Sequence, residues 1–187
     1  MNHRPVIRRQ SVHREYSDHI IPAEKEDIDL ICRLFDEAII YQQNKQGPVW
    51  RGYTRSLFET EIDRKTQFKL MIQNEIAYLF SICYSDRIIW RERDRQDAIY
   101  LHRMVVNPQF RGMHLFRTVL DWVKELCLIS HLPYIRMDTW AANTGLVSYY
   151  QSTGFRIAGY FKTPDSEELP VEQRNNEIVL LELSVFS

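Results

Sequence analysis

The residues with the clearest chemical potential lie between Tyr100 and Phe155. An apolar strand, Ala98–Val106, stops at Pro108 and gives way to a turn at Gly112, where a helix is expected to begin from Arg111. The first amides of a helix have no intrahelical acceptor and sit at the positive end of the helix dipole. Such a terminus suits a phosphate, and a glycine beside it lets the backbone approach closely. A structural turn accounts for Gly112 about as well when it is taken alone. Downstream, Asn143 and Tyr150 lie two helical turns apart and share a face of a short helix. Asn143 suits its N-cap, and Gly154 suits a position after its end that needs a positive φ. Tyr100, His102 and Met104 alternate along the strand and are expected on one face. A histidine there is a suitable proton acceptor near neutral pH, and a hydrogen-bonded sheet histidine is the alternative.

Together these segments resemble the GNAT superfamily of N-acetyltransferases. Its cofactor motif, Gln/Arg-x-x-Gly-x-Gly/Ala after a strand, corresponds to Gln109, Arg111, Gly112, Met113 and His114. The family's Asn, aromatic-Tyr pair and Gly-Phe correspond to Asn143, Tyr149, Tyr150, Gly154 and Phe155. The resemblance implies acetyl-CoA as co-substrate and no metal. It implies that amides from Arg111 through Gly112, Met113, His114 and Leu115 to Phe116 hold the pyrophosphate of coenzyme A. Met104, Val105 and Val106 would pair with the pantetheine arm like an added strand. It also implies that Tyr150 is the general acid for the leaving thiolate.

Two departures stand out. His114 replaces the second small residue of the motif, where its ring could crowd the pyrophosphate or donate to it. No Glu lies on Ala98–Val106, which leaves His102 or a water chain as the base. Trp50, Tyr53, Trp90, Tyr100 and Trp140 are candidate walls of the acceptor pocket. The acceptor itself is expected to be a small-molecule or peptide primary amine. Competing expectations are a longer acyl-CoA, a protein or aminoacyl amine, and a module that senses coenzyme A without turnover.

These residues need a scaffold. The chain has 187 residues, 44% of them hydrophobic and 26% charged, which suits one domain spanning 1–187. The net charge of −1 argues against nucleic acid as a partner. Three cysteines, Cys32, Cys83 and Cys127, lack metal-ligand spacing and read as reduced thiols of a cytoplasmic protein. No apolar run is long enough for a membrane span or a signal peptide, and a homodimer is left open. Along the chain we expect a strand near Val6–Val12 and a helix after Pro22, opened by Glu24, Glu26 and Asp27 and stopped at Gly47. A helix over Thr54–Arg64 and a hairpin turning at Gln73–Glu75 follow. Asp86–Asp97 is expected to be a loop with some strand extension over Arg87–Trp90. Helices from Arg111 and over Asn143–Ser152, and strands at Pro133–Asp138, Phe155–Phe161 and Ile178–Leu183, complete the order. The fold class is α/β. It has a mixed, mostly antiparallel sheet of six to seven strands, a parallel β-α-β core and about four flanking helices.

Overall fold

A computed structural model of the protein describes residues 19–50, 52–169 and 173–186. The strand expected near Val6–Val12 lies outside the described residues. The strands are β1 (Ile20–Pro22), β2 (Gln67–Ile72), β3 (Glu75–Cys83), β4 (Ala98–Val106), β5 (Tyr134–Trp140), β6 (Arg156–Lys162) and β7 (Glu177–Ser184). The α-helices are α1 (Ile28–Asn44), α2 (Arg55–Asp63), the single turn α3 (Arg87–Trp90), α4 (Leu115–Ile129) and α5 (Thr144–Ser152). The strands form one seven-stranded sheet in the order β1-β2-β3-β4-β5-β7-β6. Every neighbouring pair is antiparallel except β4 and β5, which are joined through α4. No helix among the described residues is long and apolar enough to cross a membrane.

Alternation along the strands sorts side chains into two packed layers. Phe80, Ile82, Ile99 and Leu101 meet α4 and α5 through Val119, Val123, Val147 and Tyr150. Ile76, Leu79 and Val105 point the other way, onto Ile31, Phe35 and Phe58 of α1 and α2. Removing this much apolar surface from water is the main stabilising term.

Two local features differ from expectation and shape the cleft. The first is a β-bulge in β4. Leu79 pairs with Val105 and Ser81 with His102, so one residue of β3, Phe80, faces two of β4, Arg103 and Met104. The extra residue takes up a left-handed conformation at Arg103, φ 49°. Alternation therefore slips by one. Met104 joins Leu101 on the α4 side, and Val105 takes the face of Tyr100 and His102. The expectation that Tyr100, His102 and Met104 share a face fails for this reason.

The second feature is a split in the sheet. β4 pairs with β5 only as far as Leu101 and Met137. Beyond that point β4 stays with β3 up to Val106, while β5 stays with β7 up to Trp140. A wedge opens between residues 102–106 and 138–140.

The segment Arg87–Trp90 is a helical turn, not an extension of strand. The Asp94 carboxylate explains it. It accepts from Ser85 Oγ (2.6 Å), Asp86 N (2.8 Å), Gln96 N (3.2 Å) and Tyr100 Oη (3.0 Å), drawing the segment into a compact loop. Likewise α4 starts at Leu115 and not at Arg111. A 3-10 turn over Pro108–Phe110 comes first, capped by Asn107. Gly112 (φ 82°) and His114 (φ 56°) then adopt left-handed conformations that no α-helix accommodates.

Candidate active site

A cleft of about 380 Å³ occupies the wedge. It passes through the sheet, because its lining comes from both faces. Phe35, Trp50, Tyr53 and Asp138 lie on one side, with Leu146 and Tyr150 of α5 on the other.

On the α4–α5 side, Asn143 Oδ1 caps α5 by accepting from Leu146 N at 3.3 Å. Gly154, at φ 106°, lets the chain leave the helix. The Tyr150 ring is fixed edge-on against Phe116, with centroids 5.0 Å apart, and flanked by Tyr149 and Phe155. Burial first, then Tyr149 and Asp138, push its phenol well above the usual tyrosine value. Tyr150 is therefore a protonated donor at neutral pH.

At the open end of the wedge stands the turn before α4. His114, the residue before the helix, makes no side-chain cap bond, so the first amides of α4 remain available to a ligand. A Cβ built on Gly112 would meet nothing within 4 Å. Leu115 and Phe116 send their side chains into the core, and Gln109, Met113 and His114 are exposed; of this turn, Arg111 lines the cleft. His114 thus takes up a left-handed position where Gly is the easy choice, which supplies a physical reason for the small residue expected there. The Arg111 guanidinium lies over the Tyr41 ring, 3.9 Å from its centroid, and ties this turn to α1. Gly112→Ala should destabilise the protein by about 1–2 kcal/mol through left-handed strain without a clash. Thermal denaturation would detect it. Where the turn holds a phosphate, a parallel rise in the Michaelis constant of the phosphate-bearing substrate is expected.

On the other side lies a half-buried polar cluster. The nearest ligand atoms of Asp86, His102 and Asp138 all fall within 4.8 Å of one another. His102 Nε2 is 3.4 Å from Asp86 Oδ2. Burial, with help from the nearby Arg103 charge, pushes His102 down to about 3. Burial also pushes Asp86 up to about 6 and Asp138 up to about 7, in the latter case with repulsion from Asp86. Burial thus disfavours the charged form of all three, yet at neutral pH only His102 is fully uncharged: Asp138 is close to half-ionised and Asp86 is mostly ionised.

The consequence for stability has a definite sign. A carboxyl whose folded value is raised binds more protons folded than unfolded. Its favourable contribution is complete below about pH 4 and is lost as pH rises through 6 to 7. Asp138→Asn should therefore stabilise the protein at pH 8 by on the order of 2 kcal/mol and change little at pH 4. Urea denaturation at the two pH values measures the difference.

Arg103, at the bulge, is clamped by both carboxylate oxygens of Glu61 from α2, with Nε to Oε2 at 3.2 Å. Both side chains are largely buried, and the pair spans the layer between α2 and β4.

The aromatic candidates divide. Trp50, Tyr53 and Trp140 line the cleft. Trp50 stacks on Phe35 at 5.3 Å and reaches Trp140 at 6.3 Å, and its main-chain N–H donates to Gln42 Oε1. Tyr53 Oη is engaged by Cys32 O and Asp36 Oδ1, each at 2.9 Å. Trp90 and Tyr100 do not line the cleft, contrary to expectation. Both are fully buried in a third cluster with Ala98, Ile178 and Leu180. Arg136 packs over their rings and donates to Tyr100 Oη. The Asp94-centred loop folds Trp90 inward. Asp86, Asp138, Arg103 and Glu61 are site residues that the sequence reading did not single out.

A match to the Acetyltransferase (GNAT) family spans residues 54–155, more than half of the chain. The protein belongs to the GNAT family. The matched stretch runs from the start of α2 to the residue after Gly154 and contains the wedge, the turn at Gly112 and Tyr150. This GNAT protein is 25% identical over 146 residues to "Uncharacterized N-acetyltransferase YesJ" of Bacillus subtilis (strain 168), covering 74% of this chain and 81% of that one. A GNAT-family acetyltransferase structure from Listeria monocytogenes superposes with a TM-score of 0.70 at 18% identity, covering 88% of this chain and 93% of the other. A chimera of the spermidine N-acetyltransferase SpeG from Vibrio cholerae and hSSAT superposes with a TM-score of 0.61 at 16% identity, covering 89% and 94%. At these identities the structural matches establish the shared fold.

Proposed function

We propose that this protein transfers an acetyl group from acetyl-CoA to a primary amine bound in the same cleft, by direct attack. The observation that carries the reading is the wedge itself. It joins a phosphate-suited turn and a buried tyrosine on one side to a carboxylate-and-imidazole cluster on the other.

The residues present fit coenzyme A. Where β4 leaves β5, Met104, Val105 and Val106 have no strand partner on that edge among the described residues, and a pantetheine arm could satisfy those backbone groups. The α4 amides and Gly112 suit the pyrophosphate. A main-chain N–H of that edge would polarise the thioester carbonyl. The acceptor first loses its ammonium proton to water; the free amine nitrogen then forms a bond to the acetyl carbon as the carbon–sulfur bond breaks. Tyr150 gives its phenolic proton to the departing sulfur, and His102 takes the proton that the amine loses. His102 is neutral, and because burial holds it down to about 3 it accepts only where Asp86 stabilises the charge it gains. Asp86, 3.4 Å behind Nε2, offsets the charge that His102 then acquires. Water is the route by which Tyr150 recovers its proton.

Direct attack fits the thiols as well. Burial, and then Asp86, push Cys83 up to about 12, and burial pushes Cys127 up to about 11. Neither supplies a thiolate at neutral pH to carry an acetyl group.

His102→Ala is expected to lower kcat by about 100-fold with the Michaelis constant for acetyl-CoA little changed. Release of free coenzyme A thiol, with mass detection of the acetylated amine, tests the assignment. Coenzyme A binding without thiol release across amines of varied size and charge would overturn it in favour of a sensing module.

A further inference from the structure

We infer that the acceptor is a compact primary monoamine with an uncharged, apolar and preferably flat body, its ammonium received at Asp138 and its body laid on Trp50 and Trp140. This rests on the reading of the cleft as an amine-acetylating site and names the amine.

Asp138 and Trp140 are two residues apart on β5 and project from the same side of the strand. Both line the cleft on the face opposite α4. The strand thus presents a carboxylate and, one step further out, an indole. Trp50 approaches from the α1–α2 connection and meets Trp140 at 6.3 Å, while Phe35 backs Trp50 in a near-parallel stack of 20°. Trp50 and Trp140 form one continuous aromatic wall beginning beside Asp138. Such a wall holds a flat apolar body by dispersion and water exclusion.

The charges in the cleft narrow the choice. Among the described lining residues the cations are Arg103 and Arg111. Arg103 is held by both oxygens of Glu61, and Arg111 lies over Tyr41 at the phosphate turn. Neither is offered to a carboxylate on the acceptor, so an α-amino acid would bring a charge without a partner. The carboxylates, Asp138 with Asp86 beside it, are gathered at one point. A polyamine would place its further ammonium groups where no second carboxylate stands among the described lining residues. The cleft of about 380 Å³ lies at the small end of ligand sites and must also take the acyl-bearing arm. A small body fits the remainder.

Three probes share or vary these features: 2-phenylethylamine, phenylalanine (the same body with a carboxylate added) and spermidine. Binding of each to the full chain, with coenzyme A present, is read by tryptophan fluorescence and calorimetry. Turnover with acetyl-CoA is read in parallel. We expect 2-phenylethylamine to bind at least about 10-fold more tightly than phenylalanine or spermidine, one unpaired charge being worth at least that factor. Asp138→Asn should remove most of its affinity while leaving coenzyme A binding unchanged. Trp50→Leu should weaken 2-phenylethylamine more than propylamine.

Equal or tighter binding of phenylalanine or spermidine, or no binding of 2-phenylethylamine, would overturn the inference. Selective binding of 2-phenylethylamine without acetylation would support it while overturning the transfer reading. Acetylation that favours spermidine would do the reverse.

Discussion

Tyr150→Phe is expected to lower kcat by about 10²–10³-fold and to leave the Michaelis constant for acetyl-CoA within about twofold. The substitution removes one oxygen and leaves the ring. Phe116, Tyr149 and Phe155 hold that ring by its carbon atoms, so its position should persist. What disappears is a buried phenol, kept protonated by its surroundings, at the bottom of the cleft. Stability should change by less than about 1.5 kcal/mol, the usual net worth of one hydrogen bond. Steady-state kinetics on the pure variant, with the urea midpoint alongside, separates a lost proton donor from a damaged fold. An unchanged kcat across pH would remove Tyr150 from the chemistry.

Glu61→Ala should have the largest effect on stability, about 3 kcal/mol. The loss exceeds the worth of a surface ion pair because it leaves the Arg103 guanidinium buried without its partner. Arg103 occupies the bulge with a left-handed backbone, so its anchor also fixes where β4 turns away from β5. The bare guanidinium would lie near Asp86, Asp138 and His102, all of which sense its charge. Both carboxyls would then ionise more readily, and the loss of stability between pH 4 and 7 would shrink. Glu61→Gln should cost less than Glu61→Ala, since the amide oxygen still accepts. Adding Arg103→Met to Glu61→Ala should recover part of the loss, because the unpaired charge is removed with it. Urea denaturation of the two singles and the double measures the coupling. A coupling energy near zero would contradict the account of the bulge.

Much of the turn before α4 and of the Tyr150 helix was legible in sequence because their logic is local. Pro108, Gly112, Asn143 and Gly154 each mark a boundary through their own backbone preferences, and the helical repeat relates Asn143 to Tyr150 without reference to the rest of the fold. The acid cluster was not legible in this way. Glu61 and Arg103 lie 42 residues apart, and their meeting depends on how α2 packs over β4. Asp86 reaches His102 only through the compact loop that Asp94 organises. The bulge at Arg103 broke the strand alternation from which Met104 was assigned to the face of His102. Trp90 and Tyr100 were misplaced for a related reason. Trp90, in a charged loop, was taken for a pocket wall, whereas Asp94 and Arg136 satisfy polar groups around it and carry it into the core. The start of α4 was displaced by four residues because two left-handed positions, Gly112 and His114, must come before the helix.

The central claim is that acetyl-CoA and the amine meet in the wedge between β4 and β5. Initial velocities measured while both substrates are varied, with 2-phenylethylamine as acceptor, test it most directly. Intersecting double-reciprocal lines, an acetylated amine by mass and no acetyl group on the protein are the predicted result. Parallel lines with an acetylated protein, or thiol release that does not depend on the amine, would contradict it.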